Sequence, residues 1–233
     1  MRRRKRARYD PAMNFLVFFI VPLVIGLFAQ HRVKSTFARN LQVPVANGLS
    51  GAEVARRVLD ANGLHDVPIE EVQGALSDHY DPRNRSVHLS SEVYRGRSIS
   101  STAVGAHEVG HAIQHAQAYG FFRFRSALFP AVNFASQIWF LFLIGGLFFQ
   151  VFQFFVIAIA LYSIAVLFQL ITLPVEFDAS RRAKRQLHDL GLVASNEAAG
   201  VKSVLTAAAW TYVAGALAAV AMLLYYLSIF SNR

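Results

Sequence analysis

From residue 14 to residue 30 the chain reads NFLVFFIVPLVIGLFAQ, without a charge. That length sits near the short end of the roughly 17–25 residues that cross a hydrocarbon core of about 30 Å. A basic stretch, from Arg2 to Arg8, precedes the run as in a secretory signal peptide. The run closes on Ala29-Gln30-His31-Arg32, however, without a small-x-small cleavage site, so it reads as a retained span. Between Arg125 and Glu176 no charged residue occurs. A single helix of that length would measure about 75 Å at 1.5 Å per residue, more than twice the hydrocarbon thickness. The pattern therefore predicts two spans folded back on each other, at about residues 129–149 and 152–173, with the turn near Gln150 to Gln153. Gly145-Gly146 suits either a close-packing point or an earlier end of the first of these helices. A fourth apolar run, at about residues 204–229, is rich in Ala and carries Trp210, Tyr212, Tyr225 and Tyr226 towards its ends, in the manner of an interfacial aromatic belt.

A membrane hairpin returns the chain to the side it left. The segments before Arg125 and after Glu176 are therefore expected to face one compartment. Basic residues stand on both sides of the spans, Arg2 to Arg8 against Arg32, Lys34, Arg39, Arg123, Arg125, Arg181, Arg182, Lys184 and Arg185. The positive-inside rule assigns no orientation to such a distribution. Residues 31–125 form the one stretch able to build a water-exposed unit. Within it, residues 51–59 (GAEVARRVL) have helical spacing of apolar positions, and Gly63 marks a stop. Strand-like pieces at 67–72 and 86–89 flank a turn read from SDHYDPRN, residues 77–84, whose Asp, Pro and Asn are turn formers. A further helix begins at Ser98, Ser100 or Ser101 as N-cap and runs to about Ala116.

Composition agrees with a bilayer. Of 233 residues, 55% are hydrophobic and only 16% charged, against about a quarter charged in ordinary soluble domains. The net charge of +9 is read as basic residues beside the spans that meet anionic head groups. No basic-aromatic module accompanies it, which excludes nucleic acid as a partner. Cysteine is absent, so a metal site must be built from His, Asp or Glu. The predicted spans hold no ionisable side chain at mid-membrane depth, which argues against a transporter.

One pattern carries chemistry. His107-Glu108-Val109-Gly110-His111 puts two His at i and i+4 on one face of the predicted helix, about 40° apart, with a Glu between them. This is the HExxH arrangement, two zinc ligands and a general base. Zinc in such a site lowers the pKa of bound water towards about 7, and Glu108 takes the proton. The bland alternative is an ordinary helix with a solvated His-Glu-His face. Small neighbours, Gly105, Ala106, Gly110 and Ala112, favour close packing of this helix instead.

A catalytic zinc needs a third protein ligand and an open position. The longer metzincin pattern is absent. His115 continues the i+4 series, but it lies about 12 Å from His107 along the helix axis and cannot wrap round the same ion. It reads as a surface or supporting residue. The expected third ligand is Glu176, on the segment Pro174-Val175-Glu176-Phe177-Asp178 that follows the hairpin, with Asp178 as second choice. These two stand about 200° apart on a helix and cannot both face the ion. A carboxylate at the membrane edge is costly without a partner, and a metal would supply one.

The segments AHEVGHAIQH, SDHYDP and LPVEFDASRRA resemble the bacterial neutral zinc metallopeptidases of the YugP type. The likeness runs from about Val33 to the last span. In related membrane gluzincins the third ligand is the Glu of a Glu-x-x-x-Asp segment on a later helix. That resemblance maps the Glu onto Glu176 and the Asp onto Ser180. Asp78, Asp178 or a backbone carbonyl would then replace the missing carboxylate partner of a ligand His.

The expected fold is mainly α, a polytopic membrane protein of about four transmembrane helices with a small α+β gluzincin-like catalytic unit. Its divisions are a first span at 14–30, a catalytic unit at 31–125, a transmembrane hairpin at 126–175, a third-ligand helix and connector at 176–203, and a last span at 204–230. The expected function is a zinc-dependent, multi-pass cell-membrane peptidase holding one zinc ion on His107, His111 and Glu176, with Glu108 as base and a polypeptide substrate. Two readings of residues 86–89 stand side by side: a strand that holds the substrate by strand addition, with His79 or Tyr80 near the oxyanion, and a purely structural hairpin. The competing function is a non-catalytic membrane scaffold with a structural or vestigial zinc.

Overall fold

The computed structural model describes residues 16–231. Asn14 and Phe15, the start of the first expected span, and the basic residues Arg2 to Arg8 lie outside them. Helix α1 is Leu16–Leu41, opening with a π-helical turn at Leu16–Ile20. It is followed by α2 (Gly51–Ala61), strands β1 (Ile69–Val72), β2 (His79–Asp81) and β3 (Ser86–Ser90), and a single turn α3 (Ser91–Tyr94). The HExxH segment lies on α4 (Ile99–Ala116), and three long helices follow: α5 (Gly120–Phe149), α6 (Phe152–Asp189) and α7 (Ala198–Ser231).

Among the described residues, four helices, α1, α5, α6 and α7, are long and apolar enough to cross a membrane. Much of their apolar surface points outward: Phe28, Phe134, Leu141 and Phe148 are all more than 60% exposed. Such faces have no place in water and match a lipid environment. The protein is a multi-pass membrane protein. α5 and α6 form the expected hairpin, turned by Gln150 in the left-handed region at φ 56°. Gly145 and Gly146 are packing points, not a helix end. A Cβ on them would come within 3.2 Å of the Phe154 ring and 3.1 Å of the Phe155 ring.

The long helices exceed the apolar runs that announce them. α6 has 38 residues, about 57 Å at 1.5 Å per residue, so it cannot lie wholly within a core of about 30 Å. It passes unbroken through Pro174, whose missing N–H removes one helical hydrogen bond. Packing repays that loss: Val175, Ala179, Ala183 and Leu187 form an i, i+4 stripe, each at most 1% exposed. The span and the segment carrying Glu176 are thus one rod.

α2 opens with a capping box between Ser50 and Glu53 and buries Val54, Ala55, Val58 and Leu59. The chain leaves it through Gly63 at φ 71°. α4 takes Ser98 as its N-cap, the Ser98 hydroxyl accepting from Ser101 N at 3.2 Å. Two glycines let α4 meet its neighbours backbone to backbone. A Cβ on Gly105 would stand 2.6 Å from Gly51 O of α2, and one on Gly110 would stand 2.6 Å from Ala179 O of α6.

The three strands form one sheet in the order β1-β3-β2, with β1 parallel and β2 antiparallel to β3. Two expectations are corrected here. The stretch 77–84 is not all turn, because β2 occupies His79–Asp81 and only the residues after it reverse the chain. There Asp81 does the turn-forming work, its carboxylate accepting from Arg83 N and Asn84 Nδ2, both at 2.8 Å. And β3 cannot hold a substrate by strand addition, because it is the central strand and both its edges are already paired. The edge strands are β1 and β2.

Candidate metal centre

α4 presents His107 and His111 on one face, with imidazole centroids 4.9 Å apart and ring planes at 81°. α6 runs against this face at Gly110 and delivers Glu176 opposite the pair. Glu176 Oε2 stands 3.3 Å from His107 Nε2 and 3.5 Å from His111 Nε2. Among the described residues these three form the one group of His, Asp or Glu able to hold a metal ion, with ligand atoms all within 4.8 Å of one another. Asp178, the second choice as third ligand, faces elsewhere: it accepts from Gln114 Nε2 at 2.9 Å and from Arg182 Nε at 2.5 Å.

The hydrogen bonds behind the pair identify which ring nitrogens face the centre. Gln114 donates both amide hydrogens, to Val175 O at 2.8 Å and to Asp178 Oδ2 at 2.9 Å. Its oxygen must therefore be the atom 3.0 Å from His111 Nδ1, and His111 is the donor of that bond. In the neutral ring the Nε2 lone pair is then left pointing at a carboxylate oxygen 3.5 Å away. Two acceptors facing each other in a site where Glu176 is 2% exposed call for a cation between them. The residues fit a zinc ion in kind and number, with nitrogen and oxygen donors and three protein ligands.

Behind His107, the position expected to lack its carboxylate is served by the hydroxyl of Ser180 itself, 3.2 Å from Nδ1. Asp178 acts on the other histidine, through Gln114. Asp78 supports neither, its carboxylate accepting from Ser90 N and Ser90 Oγ.

A cleft of about 720 Å³ opens on His111 and Glu176. Glu108 lies in its wall beside His111 and Glu176, only 7% exposed, and makes no hydrogen bond or ion pair with any described residue. Burial pushes its carboxyl up to about 7, with His107 and Arg125 opposing and Glu176 and Asp78 adding to the rise. One side of the cleft is the free edge of β2 and the turn after it, from His79 to Arg83. The other is the first turns of α5, with Phe122, Arg125 and Phe129. His115 lines the cleft and meets the Tyr80 hydroxyl at 2.9 Å, so it is neither a ligand nor a bystander on the surface.

Four contributors escaped the motif reading. Gln114 carries no spacing signal of its own, and the Glu-x-x-x-Asp resemblance marks Ser180 only as a missing carboxylate; both act through helix packing. Arg125 looked like an interfacial charge, yet its Nη1 donates to Glu176 Oε1 at 3.2 Å. Tyr212 looked like a member of an aromatic belt, yet it lines the cleft near Glu176. The only available signal was that each falls one or two turns from a site residue or beside a span end.

Comparison with known proteins bears on this geometry. The family described as "Putative neutral zinc metallopeptidase" matches residues 15–231. A relative from Bacillus subtilis (strain 168), "Putative membrane protease YugP", is 50% identical over 220 residues, covering 94% of this chain and 98% of the relative. No solved structure matches the chain.

Proposed function

Because the chain belongs to this zinc metallopeptidase family, we propose that it hydrolyses peptide bonds at the His107–His111–Glu176 centre, on polypeptides that reach the membrane boundary. The catalytic unit is gluzincin-like, with two His and the general base on α4 and the third ligand on a later helix. When bound, one zinc ion supplies Lewis acidity, which acidifies water and polarises a carbonyl.

The chain's own residues do the rest. Gln114 and Ser180 hold the two imidazoles with Nε2 towards the centre. Glu108, buried in the cleft wall and unpaired among the described residues, takes the proton of the attacking water and passes it to the leaving amine. A carboxyl whose affinity for protons is raised to about 7 suits both halves of that transfer near neutrality. The unpaired edge of β2 offers N–H and C=O groups to an extended substrate. Phe122 and Phe129 give the opposite wall an apolar side-chain site. Phe129 opens an apolar span, so this wall runs on towards the bilayer.

The observation that carries the reading is the convergence of a buried carboxylate and two imidazoles, 69 and 65 residues away in sequence, beside an unpaired buried Glu108. It is tested on purified protein by metal analysis and by cleavage of casein or a peptide, with Glu108→Gln alongside. The expected result is zinc in both proteins and cleavage in the wild type alone. Zinc with equal cleavage in both would sink the mechanism, and zinc with cleavage in neither would leave a metal-bearing scaffold.

A further inference from the structure

Glu176 has two carboxylate oxygens with different neighbours. Oε2 faces His107 Nε2 and His111 Nε2, at 3.3 and 3.5 Å. Oε1 accepts from Arg125 Nη1 at 3.2 Å. Arg125 comes from the first turns of α5, on the far side of the cleft from α4. Its guanidinium is nevertheless seated on α6, with Cζ 5.9 Å from the ring centroid of Phe168. Phe168 lies two turns before Glu176 on that same helix, so ring and carboxylate together fix the guanidinium plane. No other hydrogen bond ties Arg125 among the described residues.

From this arrangement we infer that Arg125 is a positioning residue that confines Glu176 to a single ligand oxygen. The inference rests on the metal reading given above. A carboxylate can hold an ion through one oxygen or through both, and the two modes leave different room for water and substrate. Chelation through both oxygens requires Oε1 to turn towards the ion. Here Oε1 of the 2% exposed Glu176 is held by a charge-assisted hydrogen bond, which chelation would have to give up. With Oε1 withheld, the protein contributes three ligand atoms, and the coordination positions needed by water and by the substrate carbonyl stay free. Lysine or arginine at a membrane boundary is ordinary. A guanidinium aimed at the back of a ligand carboxylate is not explained by lipid.

The zinc-loaded wild-type protein, in detergent, answers the question by X-ray absorption at the zinc edge, which separates one-oxygen from two-oxygen carboxylate ligation. Cobalt(II) in place of zinc gives a second readout, because four-coordinate cobalt absorbs visible light more strongly than five-coordinate cobalt. The expected result is one Glu176 oxygen in the wild type. Arg125→Gln should gain a second oxygen and lose cobalt band intensity, while kcat falls about tenfold to a hundredfold with KM little changed. Arg125→Lys, which keeps a charge and a donor, should move back towards the wild-type spectrum. A wild-type spectrum already showing two Glu176 oxygens overturns the inference, even if the Gln variant does not fold. So does an Arg125→Gln spectrum identical to wild type. Absence of zinc from the wild type would instead remove the metal reading itself.

Discussion

Gly110 sits between the two ligand histidines, and its missing side chain sets the distance between α4 and α6. A Cβ built there would lie 2.6 Å from Ala179 O and 3.1 Å from both Ala179 C and Cα. Ordinary contact begins near 3.4 Å, so Gly110→Ala must open the helix pair by about 0.8 Å at this point. The atoms met are backbone, and no flexible side chain can swing aside. Glu176 is three residues from Ala179 on the same rod, so the displacement passes to the third ligand. Metal–ligand distances tolerate about 0.2 Å, roughly a quarter of the required movement. Overpacking of this kind costs about 1–3 kcal/mol, and a displaced ligand is expected to weaken zinc binding about tenfold to a hundredfold. Each factor of ten in affinity removes about 1.4 kcal/mol of zinc-dependent stabilisation. The assay is competition against a fluorescent chelator, with thermal unfolding measured with and without zinc. Gly26→Ala on α1 is the control, since nothing lies within 4 Å of a Cβ there. A folded Gly110→Ala protein with wild-type zinc affinity would refute the claim that this close approach spaces the ligands.

Other substitutions test other parts of the site. Glu176→Ala should lose zinc in metal analysis, whereas Asp178→Ala should retain it with affinity lowered about tenfold, because Asp178 acts only through Gln114. Ser180→Ala should weaken zinc about tenfold by releasing His107 Nδ1, and Ser180→Asp should strengthen it, both read by chelator competition. In metal-free protein the Glu108 carboxyl is raised from 4.5 to about 7, so the fold holds a proton that the unfolded chain releases. Its stabilising contribution is complete below about 4.5 and is lost as pH rises through about 7. Denaturation of wild type and Glu108→Gln across that window should diverge by about 3 kcal/mol, with the Gln protein losing less stability as pH rises.

Much of the membrane architecture could be read directly from the chain. An uncharged run from Arg125 to Glu176 is too long for one crossing and admits a hairpin, and the HExxH spacing is a local helical signal. The helices run past the apolar runs because hydropathy reports only the lipid-facing part. α6 continues past Pro174 on the strength of the Val175–Ala179–Ala183–Leu187 stripe, which is packing against α4 and invisible to hydropathy. β2 was hidden because Asp81, Pro82 and Asn84 make so strong a turn signal that the three residues before the turn were absorbed into it. Gln114 and Arg125 could not be found by spacing at all, and Ser180 only as the place of a missing carboxylate. The roles of Gln114 and Ser180 exist only once two helices more than sixty residues apart are laid together with no Cβ at Gly110 between them, and that of Arg125 only once α5 folds back on α6.

The central claim is that one metal ion sits between α4 and α6. Anomalous diffraction at the zinc edge from crystals of the purified protein tests it without reference to activity. One peak is predicted, within bonding distance of His107 Nε2, His111 Nε2 and Glu176 Oε2. A map with no peak there, or with zinc held by other residues, would contradict it.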